Sequence, residues 1–331
     1  MADMKTLINN FAQHIDEGVE ISKTMKYKQP NREIRNVVVC GMGGSGIGGK
    51  LVSLWIQGDI KVPVTLVQEY ELPNFVDAHT LLIGSSYSGN TEETLIALKA
   101  GHEQGAYITG ICSGGELHSF CVNNGFDVVI VPGGFPPRAA MAYSIVQLLN
   151  IFIQYGMIPA VRMEELIASA RLIETNKSAI IQRGEELASF LFGKVGVFYA
   201  TPEYEGVVIR ARQQFNENSK FLCWQHIIPE MNHNELVGWG GGDDRFAVIF
   251  FNTEDISPRN RKRYDISKEI ISGKTKHVTE LLAIGESQIE RSIYLIHIVD
   301  WASYFLCELN KADIMDIKVI DYLKGSLAKF N

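Results

Sequence analysis

The chain has 331 residues, 46% of them apolar and 21% charged, with 31 Lys+Arg against 38 Asp+Glu. That composition suits a globular protein with a sizeable core, and the length suggests about two domains. A formal charge of −7 argues against a nucleic-acid sheath, which needs clustered Lys/Arg to displace counterions from phosphates. The short basic run Arg259, Arg261, Lys262, Arg263 reads as a solvated helix face. Cys40, Cys112, Cys121, Cys223 and Cys307 are scattered and form no C-x-x-C pair, which disfavours a disulfide framework or a cysteine zinc site and fits a reducing cytoplasm. The N-terminus lacks a signal-peptide core. The most apolar window, residues 292–309, contains His297, Asp300 and Ser303, so a buried helix is expected there and no membrane span.

In chain order, a helix is expected over residues 4–25. Short Val/Ile/Leu runs then follow at 37–40, 62–67, 80–84, 107–112 and 128–131, separated by stretches of helical period. Such alternation predicts a parallel sheet covered on both faces. A long helix over 139–155 and the break Gly156-Met157-Ile158-Pro159 close this set. A second set of strands is expected at 195–200, 221–224, 246–251 and 277–280, with final helices over 287–308 and 315–328. The expected fold is α/β: two doubly wound parallel-sheet domains with flanking helices, residues 1–155 and 156–331. A faint echo fits internal duplication, because Asn90-Thr91-Glu92 and Asn252-Thr253-Glu254 each follow a strand.

Two loops carry the chemistry. The first strand runs into Gly41-Met42-Gly43-Gly44-Ser45-Gly46-Ile47-Gly48-Gly49-Lys50, with a helix expected to follow. Glycines there let the backbone approach an anion at a helix N-terminus. Three patterns fit in part. Gly41-x-Gly43-x-x-Gly46 with Glu69 suits a dinucleotide, and Gly44 to Gly49-Lys50 nearly suits a P-loop but is followed by Leu51. In the third, Ser45 donates to a sugar phosphate. The second loop, Ser85-Ser86-Tyr87-Ser88-Gly89-Asn90-Thr91, ends a strand and opens a helix. One N-cap residue would satisfy a helix start, so Ser86, Ser88 and Thr91 together point to a bound dianion.

At these residues the sequence resembles the sugar isomerase (SIS) family, whose mark is a Ser-x-Ser-Gly-x-Thr loop, here Ser86 to Thr91, partnered by Gly43-Gly44-Ser45-Gly46. An aldose–ketose isomerase needs a carboxylate between C1 and C2, a group to shuttle the ring proton and a cation near the oxyanion, with no obligatory metal or cofactor. Candidates by residue type are Glu217 between Asn216 and Asn218, His233 in Asn232-His233-Asn234-Glu235, Arg138 after Pro136-Pro137, and a lysine of Leu323-Lys324. The flanking asparagines are expected to hydrogen-bond Glu217. Glu235 is either a rival base or an orienting partner for His233.

The order of these motifs is similar to that of bifunctional phosphoglucose/phosphomannose isomerases, which are two-SIS-domain dimers, and the likeness runs from about Val37 to Lys324. The resemblance implies Glu217 as proton-transfer base and Arg138 beside the enediolate. His233, donated by the partner subunit, and Lys324 would assist ring opening, while Gly44, Ser45, Ser86, Ser88 and Thr91 hold the phosphate. It implies a cytoplasmic homodimer acting on a sugar phosphate, with one phosphate site per subunit. Where dual-specificity members carry Thr-Pro before the last helix, this chain has Ile314-Met315-Asp316-Ile317. Lys318 and Lys329 are rivals of Lys324. Other readings are an isomerase for a different phosphosugar, a non-catalytic sugar-phosphate sensor and, last, a dehydrogenase.

Overall fold

The computed structural model describes residues 3–327 and 329. It divides into two compact units. One comprises the residues up to Asn176 with Ala283–Tyr294, and the other comprises Lys177–Leu282 with the residues from Leu295 onward.

The first unit opens with α1 (Met4–Asn9) and α2 (Phe11–Thr24), where one helix had been expected; the chain breaks at Asn10. Then come β1 (Asn36–Cys40), α3 (Gly43–Trp55), β2 (Val64–Val67), β3 (Thr80–Ser85) and α4 (Glu92–Glu103). The series continues with β4 (Tyr107–Cys112), α5 (Gly115–Asn123), β5 (Asp127–Ile130), α6 (Met141–Gln154) and α7 (Val161–Thr175). All strand pairs are parallel, in the order β2-β1-β3-β4-β5. β3, at the centre, is buried at every position, as a strand covered on both faces must be. Arg162 fastens α7 to this unit through an ion pair with Asp59 at 2.6 Å.

The second unit contains α8 (Lys177–Leu191), β6 (Val195–Ala200), α9 (Glu205–Ser219), β7 (Cys223–Ile227) and the short α10 (Glu235–Gly238). After these come β8 (Phe246–Asn252), α11 (Pro258–Ser272), β9 (Val278–Leu282), most of α12 (Gln288–Leu309), and α13 (Lys318–Leu327). Its parallel sheet has the order β7-β6-β8-β9. Strand for strand this repeats β2-β1-β3-β4. Asn252 ends β8 itself, whereas Asn90-Thr91 lies beyond the end of β3 at the start of α4, so the three-residue echo does not occupy equivalent positions. The duplication is thus carried by topology and not by those three residues.

α12 is the buried helix expected from the broken apolar window. Arg210 and Gln214 on α9 reach Asp300 at 3.2 and 2.7 Å, and Asn218 reaches Ser303 at 2.9 Å. Burial pushes the Asp300 carboxyl up in pKa, with Arg210 and Gln214 pulling against it. Positions 210, 214 and 218 are four apart and lie on one face of α9, so this polar stripe sets the register of α9 against α12.

Candidate functional site

In sheets of the order 2-1-3-4-5, ligands bind beyond the carboxyl ends of the strands where the connections diverge, here between β1 and β3. Both loops singled out from the sequence lie there. α3 begins at Gly43, so Gly48 and Gly49 sit within the helix and not in the loop. A Cβ on Gly48 would lie 2.6 Å from Ser144 Oγ, and one on Gly49 would lie 3.2 Å from Val39. These are packing glycines, which removes the P-loop reading. Glu69 is exposed and accepts from the adjacent Tyr70 N–H at 2.8 Å, and the dinucleotide reading leaves the Ser86–Thr91 loop unexplained.

The hydroxyls are set for donation. Ser45 Oγ accepts from Tyr87 N–H at 3.1 Å and Ser88 Oγ accepts from Asn90 N–H at 3.2 Å. Each oxygen is thereby oriented with its own hydrogen still to give. Ser86 and Thr91 share a hydrogen bond of 2.8 Å. Thr91 stands at the N-cap of α4 but makes no side-chain cap there, and Met42 cannot cap α3. Two helix starts therefore retain amides with no side-chain cap, an arrangement suited to a phosphate dianion.

Arg138 is brought to the same place. It lies in the 3-10 turn Pro137–Ala139 and is only 4% exposed. Gly44 makes this approach geometrically feasible, since a Cβ there would lie 2.6 Å from Pro137 O. Sequence reasoning passed over Tyr87, whose side chain holds this loop. Its hydroxyl donates to Pro132 O at 2.8 Å and accepts from Phe135 N–H at 3.0 Å. Burial raises its pKa and keeps it a donor. The only signal in the sequence was an aromatic residue inside a serine loop.

In the second unit the equivalent corner is filled from within. Arg261 donates to Asn252 Oδ1 at 2.9 Å and to Thr253 O at 2.6 Å. It therefore leaves the solvated face expected for its basic run. A guanidinium already sits where an anion would bind.

Glu217 is half-buried near the end of α9. The neighbouring asparagines do not serve it as expected. The Asn218 amide goes to Ser303, and the Asn216 amide goes to Phe221 O at 2.8 Å. Helical geometry explains this, because adjacent residues point about 100° apart. Lys220, the left-handed C-cap of α9, lowers the pKa of Asp316, a minor influence beside the Lys318 backbone hydrogen bond. The Glu217 corner and the approach to α13 are therefore neighbours.

His233 ends the 3-10 turn Glu230–His233 and is exposed. Among the described residues the Glu235 side chain makes no hydrogen bond to the His233 ring. The Glu235 carboxylate accepts from Tyr199 OH, from Trp224 Nε1 at 3.0 Å and faces His226 Nδ1 at 2.7 Å. Lys324 lies in the last turn of α13, which has no buried residue. Ile320, Leu323 and Leu327 are 37%, 57% and 44% exposed and share a face with Lys324. Lys318 donates its backbone N–H to Asp316 at 2.9 Å and brings its ammonium within 3.5 Å of the same carboxylate, with the side chain exposed.

These two duplicated sheets, one with a hydroxyl-lined loop pair at its switch point, define an SIS-type α/β protein. Residues 181–327 match the family described as bacterial phospho-glucose isomerase C-terminal SIS domain. The chain belongs to the bifunctional phosphoglucose/phosphomannose isomerase family. It is 35% identical to the enzyme of that name from Caldicellulosiruptor bescii, over 97% of this chain and 98% of that one. It is also 35% identical to the Aquifex aeolicus enzyme of the same name, over 89% and 91% of the two chains. In fold it is similar to the C-terminal domain of glucosamine-fructose-6-phosphate aminotransferase from Francisella tularensis. That match has a TM-score of 0.75 at 13% identity, over 94% of this chain and 97% of that one.

Proposed function

We propose that this protein interconverts glucose-6-phosphate, and mannose-6-phosphate as second substrate, with fructose-6-phosphate through an enediol. The observation that carries the proposal is the convergence of Ser45, Ser86, Ser88, Thr91 and buried Arg138 at the β1/β3 switch point. In this reading the hydroxyls and helix-start amides grip the phosphate and Arg138 stabilises the enediolate oxygen. Glu217 takes the C2 proton and returns it to C1, while His233 and Lys324 move the ring proton.

His233 belongs to the partner's site in this reading, in a cytoplasmic homodimer. Two features support that. Among the described residues no side chain hydrogen-bonds or ion-pairs His233, and the apolar face of α13 is uncovered.

The test is NMR with glucose-6-phosphate and, separately, mannose-6-phosphate in D₂O. Fructose-6-phosphate should form from both, with deuterium entering at C2 on back-reaction. Failure with both substrates would refute the reading, and failure with mannose-6-phosphate alone would limit it and point to residues 314–317. Glu217→Gln should abolish exchange while phosphate still binds. Mixed Glu217→Gln and His233→Ala subunits should regain about a quarter of wild-type activity, since half of the dimers are mixed and each has one intact site. No recovery would place His233 in its own subunit's site.

A further inference from the structure

The carboxylate of Glu235, two residues after His233, gathers three side-chain partners in the second unit. Tyr199 on β6, with Trp224 and His226 on edge strand β7, all converge on its two oxygens. Trp239 Nε1 donates in turn to the Tyr199 hydroxyl at 2.8 Å. Burial and the Glu235 charge raise the Tyr199 pKa, so that phenol remains a donor. A carboxylate with both oxygens engaged has little capacity to act as a base.

The other side of the turn is anchored as well. Asn232 Nδ2 donates to Ser267 Oγ on α11 at 2.7 Å, and Asn234 Nδ2 donates to Glu230 Oε1 at 3.1 Å. The Asn234 side chain also accepts from Glu235 N–H at 2.5 Å. His233 is thus an exposed side chain on a backbone held from both directions. We infer that Glu235 is a positioning residue: its hydrogen bonds to Tyr199, Trp224 and His226 fix the backbone that presents His233 for ring opening. The inference rests on the ring-opening role given to His233 above.

Ring opening can be separated from proton transfer by choice of substrate. 5-Deoxy-fructose-6-phosphate has no O5 with which to close a furanose, so it reaches the enzyme open-chain at full length. Glu235→Gln and Tyr199→Phe should lower kcat for fructose-6-phosphate by about tenfold or more, a fraction of what general acid–base assistance contributes. KM should stay nearly unchanged, and deuterium exchange of the open-chain analogue should stay within about threefold of wild type. Tyr199→Phe removes a single hydroxyl and keeps the test informative if Glu235→Gln fails to fold. Equal losses on both substrates, or none on either, would overturn the positioning role. His233→Ala separates the two layers. A selective loss there with silent Glu235 and Tyr199 variants would overturn the clamp alone, and a silent His233→Ala would overturn the ring-opening reading and the clamp with it.

Discussion

Gly44→Ala tests whether the approach of the Arg138 turn to the first loop matters for catalysis. The added methyl would lie 2.6 Å from Pro137 O and 3.1 Å from Pro137 C. Ordinary contact begins near 3.4 Å, so the Pro137–Ala139 turn must retreat by about 0.8 Å. Its obstructing atoms are backbone and cannot swing aside as a side chain would. Overpacking of this kind costs on the order of 1–3 kcal/mol of stability. The retreat also carries Arg138 by a comparable distance, and a misplacement of about 1 Å can cost roughly a hundredfold in rate. Gly43→Ala, in the same loop, is the contrasting variant. Gly43 has φ +51 with open space around a Cβ, so that variant should lose about 1 kcal/mol to backbone strain without moving Arg138. The assay is steady-state isomerisation of fructose-6-phosphate with thermal melting of each variant. Gly44→Ala should lose kcat by about ten- to a hundredfold, whereas Gly43→Ala, in the phosphate loop, should raise KM and leave kcat closer to wild type. A folded Gly44→Ala enzyme with kcat within about twofold of wild type would refute a need for Arg138 at this position.

Ser88→Ala should raise KM while sparing kcat, since a hydrogen bond to a charged phosphate contributes about 1.5–3 kcal/mol; an unchanged KM would remove Ser88 from the phosphate site. Asp300→Ala should cost about 3–5 kcal/mol in chemical denaturation, because the Arg210 guanidinium, 2% exposed, loses its carboxylate in the core. The double variant Arg210→Met/Asp300→Leu should recover most of that. For His297, burial pulls the pKa down to about 3. A folded value below the unfolded one means that the unfolded chain binds the extra proton. The stability from keeping His297 neutral is therefore full above pH ~6.5 and declines toward pH 3, by about 1.4 kcal/mol per pH unit. Between pH 6.5 and 5 that amounts to roughly 2 kcal/mol, and His297→Phe should flatten the slope measured by urea titration. An equal slope in both proteins would assign the acid loss to other groups.

The alternation of short apolar runs with helical stretches sufficed to read both sheets, because strands buried on two faces must be apolar along their whole length. β7 was placed two residues early, since Cys223 to Ile227 includes Gln225 and His226 and lacks that pattern. The loops were legible for a related reason: anion binding at a helix start needs hydroxyls and glycines next to each other in the chain. Residue type offered Glu217, His233 and Lys324 only as candidates, and the roles proposed for them rest on the resemblance, because such roles depend on residues far apart in sequence.

What the chain order determined was therefore local: the strands, the two loops, the buried helix and the order of the motifs that place it in its family. Tertiary structure decided which of several equivalent groups does what. It turned Thr91 toward Ser86 and away from capping, and it committed Glu235 to Tyr199, Trp224 and His226. It sent Gly48 and Gly49 into packing and put the guanidinium of Arg261 on Asn252 and Thr253 at the end of β8. Hydrogen-bond partners and close approaches depend on atoms brought together from distant parts of the chain, and neither composition nor period encodes which partner is nearest.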